Sequence, residues 1–286
     1  MNSNTADTGT TIGQLLDEAT KRLSASRGGA RLDAEVLLAR ILGKPRSHLY
    51  AWPEREVGPD ELRDFRAILH RRLEGVPVAY LTGHREFWSL PLQVTPETLI
   101  PRPETETLVE LALERIPPDT PWRIADLGTG TGAIALAISR ERPLCRIIAT
   151  DISGKALAIA ASNAALLALY NMRFIQGNWL EALDRGTFDM ILSNPPYIAD
   201  SDPHLQRGDV AFEPRRALVS GADGLDDVRT IVRDARMALR PGGWLLLEHG
   251  HDQRRGVLEL LRKHDYQSIS GFSDAAGIDR VVAGRT

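Results

Sequence analysis

The residues with the clearest chemistry are Asn194-Pro195-Pro196-Tyr197. They follow an apolar run, Phe188-Asp189-Met190-Ile191-Leu192-Ser193, that reads as a buried parallel strand. In open α/β sheets, ligands bind in the crevice outside the carboxyl end of such strands. The Asn194 carboxamide accepts a hydrogen bond through its oxygen, and Pro195 keeps a carbonyl but has no N–H. Two neighbouring acceptors can hold both hydrogens of a planar –NH2 group. Tyr197 offers a flat wall against it. Such a set suits alkylation of an amide or amino nitrogen. The tetrapeptide also suits a plain turn, because Asn-Pro and Pro-Pro punctuate loops.

A second set precedes it. Asp126-Leu127-Gly128-Thr129-Gly130-Thr131-Gly132 joins a strand to a helix, and Asp151 follows Gly132 by nineteen residues, at the end of the next strand. Glycines let backbone approach a ligand closely and expose N–H groups near a helix start. A carboxylate at Asp151 can accept both ribose hydroxyls of a nucleoside, or simply cap the following helix. Gly128, Gly130 and Ala133 also fit the dinucleotide pattern, so the glycines do not separate NAD from S-adenosylmethionine. Asp126 favours the latter, since it would repel a pyrophosphate and can meet a cationic amino-acid tail. The threonine-rich loop also suits a ligand without phosphates. Trp179, in Gly177-Asn178-Trp179, can flank an adenine or pack on the sheet edge.

These loops need a sheet to position them. From residue 122 the chain alternates strand and helix. Strands are expected at Arg123–Leu127, Arg146–Thr150, Met172–Gln176, Phe188–Ser193, Trp244–Glu248, Gln267–Gly271 and Arg280–Ala283. Helices are expected at about 132–140, 153–167, 225–240 and 254–264. This predicts an α/β domain over 104–286 with a seven-stranded, mostly parallel Rossmann-like sheet whose last strand inserts antiparallel. Residues 76–103 form a connector with a β-hairpin in Glu86–Val94. It leads to Leu99-Ile100-Pro101-Arg102-Pro103-Glu104-Thr105-Glu106, where Pro103 and the glutamates suit a helix start. Arg102, Glu104 and Glu106 can equally form a lid. Residues 11–75 read as a small helical domain: Ile12, Leu15, Leu16, Ala19 and Leu23 recur at helical spacing, as do Leu62, Phe65, Leu69 and Leu73. Gly28-Gly29, Gly43 and Pro45 break its segments, and residues 1–10 read as a disordered tail.

Bulk properties exclude several classes. The 286 residues are 43% hydrophobic and 26% charged, as in ordinary globular proteins. A net charge of −3 and a pI near 6.2 give no basic field for stable nucleic-acid binding, although Arg71, Arg72, His84 and Arg85 can form a local patch. No run of about 18 apolar residues indicates a membrane span, and the polar start lacks a secretory core. A single cysteine, Cys145, cannot form an internal disulfide and reads as a buried thiol. His249 and His251 lack a third ligand, so no metal is expected. The expected location is cytoplasmic.

Gly128–Gly132, Asp151, Trp179 and Asn194–Tyr197 together resemble class I S-adenosylmethionine-dependent methyltransferases acting on nitrogen. Further stretches resemble the protein-(glutamine-N5) methyltransferases of peptide chain release factors: Leu81-Thr82-Gly83, Arg85–Leu90, Leu99–Glu106, Phe212-Glu213-Pro214-Arg215, Asp223-Gly224-Leu225 and Leu247-Glu248-His249-Gly250. The likeness runs from about residue 11 to the end. It implies methylation of the glutamine side-chain amide in the Gly-Gly-Gln motif of class I release factors, with S-adenosyl-L-methionine as donor. It implies that Gly128, Thr129, Gly130, Thr131, Gly132, Asp151, Trp179 and Asn194 contact the donor. Asn194, Pro195, Pro196 and Tyr197 would bind the substrate, with Asn194, Pro195 and Tyr197 catalytic. The alternative is an amino-nitrogen methyltransferase acting on rRNA, DNA or another protein, because Asn-Pro-Pro-Tyr serves those reactions too.

Overall fold

The computed structural model describes residues 9–24 and 29–286. Most of the expected tail and Gly28 of the Gly28-Gly29 break lie outside the described residues. Two compact units divide at Gly83/His84.

The first unit holds α1 (Ile12–Ser24), α2 (Ala30–Leu42), α3 (Arg46–Ala51), α4 (Pro59–Leu73) and α5 (Val78–Thr82). Its core holds Ile12, Leu15, Leu16, Ala19, Phe65 and Leu69, which the sequence spacing picks out, together with Leu37 and Leu38 of α2, all nearly inaccessible to solvent. Gly43 ends α2 in the left-handed conformation, at φ 60°. Thr10, placed in the tail by the sequence, accepts a hydrogen bond from the Val57 N–H (3.0 Å) and so is part of this unit. α5 was not expected: it occupies residues read as connector, and its five residues are too few for helical periodicity to register.

The second unit opens with the hairpin β1 (His84–Phe87) and β2 (Leu90–Gln93). Trp88 and Ser89 form its two-residue turn, both at positive φ, as right-twisted hairpins require. Then follow α6 (Glu106–Arg115), β3 (Arg123–Leu127), α7 (Ala133–Glu141), β4 (Arg146–Asp151), α8 (Gly154–Leu166), β5 (Met172–Gln176) and β6 (Phe188–Ser193). The last elements are α9 (Asp226–Ala238), β7 (Leu239–Glu248), α10 (Arg254–Lys263), β8 (Gln267–Ser273) and β9 (Asp279–Arg285). The seven-stranded sheet runs β5-β4-β3-β6-β7-β9-β8, parallel except for β9, which pairs antiparallel with both β7 and β8. One face packs on α6, α7 and the hairpin, the other on α9 and α10, which gives the three-layer sandwich.

The largest boundary difference lies where α9 meets β7, which starts at Leu239 where Trp244 was expected. α9 stops at Ala238, before the expected end at 240, and β7 begins at once. Pro241 disfavours the helical region for Arg240 before it, so the chain turns extended there.

Candidate active site

Four strand ends meet at the carboxyl edge of the sheet. β3 leads into Gly128–Gly132, β4 ends on Asp151, β5 leads into Gly177-Asn178-Trp179, and β6 leads into Asn194–Tyr197. Leu127 at the end of β3 is level with Thr150 on one side and Ser193 on the other. The strand order changes direction at β3, where a crevice opens. A cavity of about 280 Å³ fills it, lined by Gly128, Gly130, Asp151, Trp179, Asn194 and Pro196 among others.

Gly128 sits at φ +68°, and a Cβ there would fall 3.0 Å from the Trp179 ring. The indole therefore packs under the glycine backbone while also facing the cavity. Its N–H donates to Asp227 Oδ1 at 3.1 Å, which fixes the ring plane. Both sequence readings of Trp179, ligand wall and sheet-edge packing, describe the same ring.

Thr129, Thr131 and Gly132 do not line the cavity. They build the loop instead. The Thr129 hydroxyl donates to Asp126 Oδ2 (2.6 Å), and its N–H donates to the Thr150 carbonyl (2.9 Å). The Thr131 carbonyl accepts from Asn163 Nδ2 (2.9 Å). Asn163 is buried in α8 and also exchanges hydrogen bonds with the Gln93 backbone, so it ties the loop to the hairpin. Asn163 carried no motif signal. Asp126 turns inward rather than toward a ligand tail, and is 1% exposed. Burial pushes its carboxyl up to about 6, against the pull of the Thr129 hydroxyl and the Ala135 N–H.

Asp151 accepts from the Gly130 N–H through Oδ2 (3.0 Å) and from the Ser153 N–H through Oδ1 (2.8 Å). Each oxygen keeps a lone pair for a hydroxyl. Next to it Ile152 is 55% exposed and lines the cavity. The sequence reading missed it, although an apolar residue directly after the acidic strand end was the available signal.

At β6, Asn194 and Pro196 line the cavity, whereas Pro195 is buried. Asn194 Nδ2 donates to Thr105 Oγ1 at 3.0 Å. The Tyr197 hydroxyl donates to Glu248 Oε1 at 3.4 Å, and its carbonyl accepts from Gln253 Nε2 at 2.9 Å. Burial holds the Tyr197 phenol protonated well above its ordinary range. Glu248 is itself buried; this raises its carboxyl to about 7, opposed by the Thr105 hydroxyl. Gly224, at φ +75°, passes so close that a Cβ would lie 2.3 Å from the Tyr197 carbonyl oxygen. This gives Asp223-Gly224-Leu225 its reason: only glycine fits behind the turn.

The Glu213 side chain is fully buried and paired with Arg102. Arg215 instead donates to the Asp200 carbonyl (3.2 Å). Arg102 thus belongs to an anchor between the stretch before α6 and the loop after Tyr197. Glu106 accepts from the Trp88 N–H (2.8 Å) and holds the hairpin turn. Arg72, proposed for a basic patch, is buried and paired with Asp33 at 2.7 Å. His249 is also buried; its ring Nδ1 donates to the Gly250 carbonyl (2.8 Å).

Residues 14–83 match the PrmC N-terminal domain, and residues 105–214 match the methyltransferase small domain. A release factor glutamine methyltransferase of Salmonella typhimurium is 50% identical over 94% of this chain and 97% of its own length. That of Escherichia coli is 48% identical over 94% and 97%. The chain belongs to the release factor glutamine methyltransferase family. Among solved structures, the hMettl16 catalytic domain superposes with a TM-score of 0.56 at 17% identity, covering 76% of this chain and 81% of that one. A methyltransferase from Pyrococcus furiosus gives 0.54 at 18% identity, covering 76% and 96%. These share the Rossmann-like methyltransferase fold. Within the family, the resemblance read from Asn194–Tyr197 and Leu99–Glu106 is borne out.

Proposed function

We propose that this chain methylates the side-chain amide nitrogen of the glutamine in the Gly-Gly-Gln motif of class I release factors, with S-adenosyl-L-methionine as donor. The single observation that carries the reading is the shared cavity: the Asn194 turn and the Gly128/Asp151/Trp179 wall face one space.

The residues present fit that donor. Asp151 has free lone pairs for ribose hydroxyls, and Ile152 and Trp179 supply apolar walls for a base. The lining carries three carboxylates, Glu97, Asp151 and Asp227, against one guanidinium, Arg216. That balance favours a cationic ligand and disfavours a pyrophosphate, which separates the two nucleotides that the glycine pattern left open.

The bound donor supplies a sulfonium methyl as electrophile. An amide nitrogen is a weak nucleophile because its lone pair is delocalised into the carbonyl. Asn194 Oδ1 and the Pro195 carbonyl accept its two N–H bonds and favour a nitrogen bent out of plane. Fixed dipoles of this kind stabilise the charge that develops as the nitrogen is alkylated. Holding both partners in line makes the step internal, which contributes on the order of 7–11 kcal/mol. The proton leaves readily once the nitrogen is alkylated, so positioning does most of the work.

Among the described residues no helix is long and apolar enough to cross a membrane. The substrate assigns the work to the compartment where translation ends, the cytoplasm.

The test is transfer of a labelled methyl group to a release factor carrying Gly-Gly-Gln or Gly-Gly-Ala. Label on the first alone is the expected result. Label on both, or on rRNA or DNA instead, overturns the reading.

A further inference from the structure

Three carboxylates line the cavity, and their charges are not equally free. Glu97 is paired with Lys155 Nζ at 2.7 Å. Asp151 is engaged by the Gly130 and Ser153 N–H groups. Asp227, the second residue of α9, pairs with no cation among the described residues, Arg216 of the same lining included. Its bonds go to neutral groups. Its N–H donates to Ser220 Oγ at 2.8 Å, and its Oδ1 accepts the Trp179 indole N–H at 3.1 Å.

That second bond completes a grip on the Trp179 ring. At one end, the edge of its six-membered ring stands 3.0 Å from where a Cβ on Gly128 would lie. At the other end is Asp227. The Trp179 backbone sits at φ 49°, a left-handed conformation that a bulky residue keeps only when its surroundings hold it. The Thr150 hydroxyl, which donates to the Trp179 carbonyl at 3.3 Å, is part of that hold.

We propose that Asp227 is a donor-binding residue with two separable effects. Its Oδ1 sets the plane of the Trp179 wall, and its uncommitted negative charge selects the methyl donor over the demethylated product. Methyl transfer breaks the carbon–sulfur bond and leaves the bonding pair on sulfur, so a sulfonium cation becomes a neutral thioether. The nucleoside and amino-acid parts do not change. Shape distinguishes the two molecules by one methyl group, whereas a fixed carboxylate distinguishes them by a full charge. At the effective permittivity of a protein surface, a unit charge within about 10 Å is worth on the order of tenfold in affinity. A site that reads the charge holds the donor and lets the product go, as repeated turnover requires. The selection rests on the donor of the function proposed above, and not on its release factor substrate.

The experiment is calorimetric titration of the full chain with S-adenosyl-L-methionine and with S-adenosyl-L-homocysteine, with melting temperature as the check on folding. Asp227→Asn keeps an oxygen for the indole N–H and removes the charge. It is expected to weaken the donor roughly 10-fold and the product less than about 3-fold. Asp227→Ala removes both the charge and the acceptor, and is expected to weaken both ligands, the donor more. Trp179→Phe removes the indole N–H and keeps the charge, and is expected to weaken both ligands by the same factor. An unchanged ratio of the two affinities in Asp227→Asn overturns the proposal. A ratio shifted as far by Trp179→Phe assigns the selection to the ring and overturns it too. Were Asp227→Asn not to fold, the ratio in Asp227→Ala decides in its place. An unchanged ratio beside tight donor binding sinks the selection alone and leaves the proposed function standing. A wild-type chain that binds neither ligand overturns the proposed function and the selection together.

Discussion

Asn194 and Asp151 line one cavity, and the proposed reading gives the first to the substrate and the second to the donor, so single substitutions should separate the two roles. Asn194→Ala removes the side-chain oxygen that the proposed reading assigns to the substrate amide. Turnover should drop steeply while calorimetry finds donor affinity nearly intact; a collapse of donor affinity would contradict the assignment. Asp151→Ala removes a charged acceptor and should weaken the donor by about 1–3 kcal/mol in the same titration. Both residues were legible in the sequence, because a motif at a strand end names its own position. Thr129 and Thr131 were legible only as loop members. The sequence could not show that both are buried, with the Thr129 hydroxyl given to Asp126 and the Thr131 carbonyl held by Asn163, 32 residues away. Thr105 carried no signal of its own role for the same reason: it is 89 residues away from Asn194 along the chain.

At the level of elements, the turn after β6 is held from two sides. Arg102 pairs with the buried Glu213, and Gly224 and Gln253 back the Tyr197 carbonyl. Burial already raises the Glu213 carboxyl, and Arg102 opposes that shift. Arg102→Ala leaves the charge without its partner and should cost about 2–4 kcal/mol in chemical denaturation, a loss that grows as pH rises through the carboxyl's titration. Gly224→Ala should reduce both melting temperature and turnover, because the new Cβ must displace the Tyr197 backbone. Strand and helix identity in 122–286 could be read from apolar runs, and the hairpin from its turn. The ladder beyond Tyr197 could not: Ile198 N–H to the Leu218 carbonyl (2.8 Å) and Asp200 N–H to the Gly221 carbonyl (2.9 Å) join segments without apolar periodicity. The buried partner of Arg102 was hidden likewise, 111 residues away.

Among the described residues, burial raises the carboxyls of Asp126, Glu213 and Glu248, the first to about 6 and the last to about 7. A raised carboxyl favours the folded state when protonated. Its contribution is complete below the unfolded value and is lost as pH rises through the folded one. Glu248→Gln should therefore gain stability relative to wild type between pH 4.5 and 7, reaching roughly 2–4 kcal/mol above that window. Thermal melts across the range check the sign. A gain that shrinks toward alkaline pH would mean that the carboxylate is stabilised by its surroundings. The α/β class, the mostly parallel seven-stranded sheet with its antiparallel last strand, and the helical character of the first unit all followed from pattern alone. The placement of charge inside the protein did not, because burial depends on packing that no local pattern encodes.

Strand β9 lies between β7 and β8, yet it leaves the ribosome after both of them. Until it does, β7 is a bare edge of the sheet and β8, whose one strand partner is β9, has nothing to join. The half-made protein is therefore a sheet with an open edge, one that a stray extended peptide can extend. Residues 279–285 act as the closing thread, and a nascent chain stalled short of them should be the species that aggregates or is captured by chaperones.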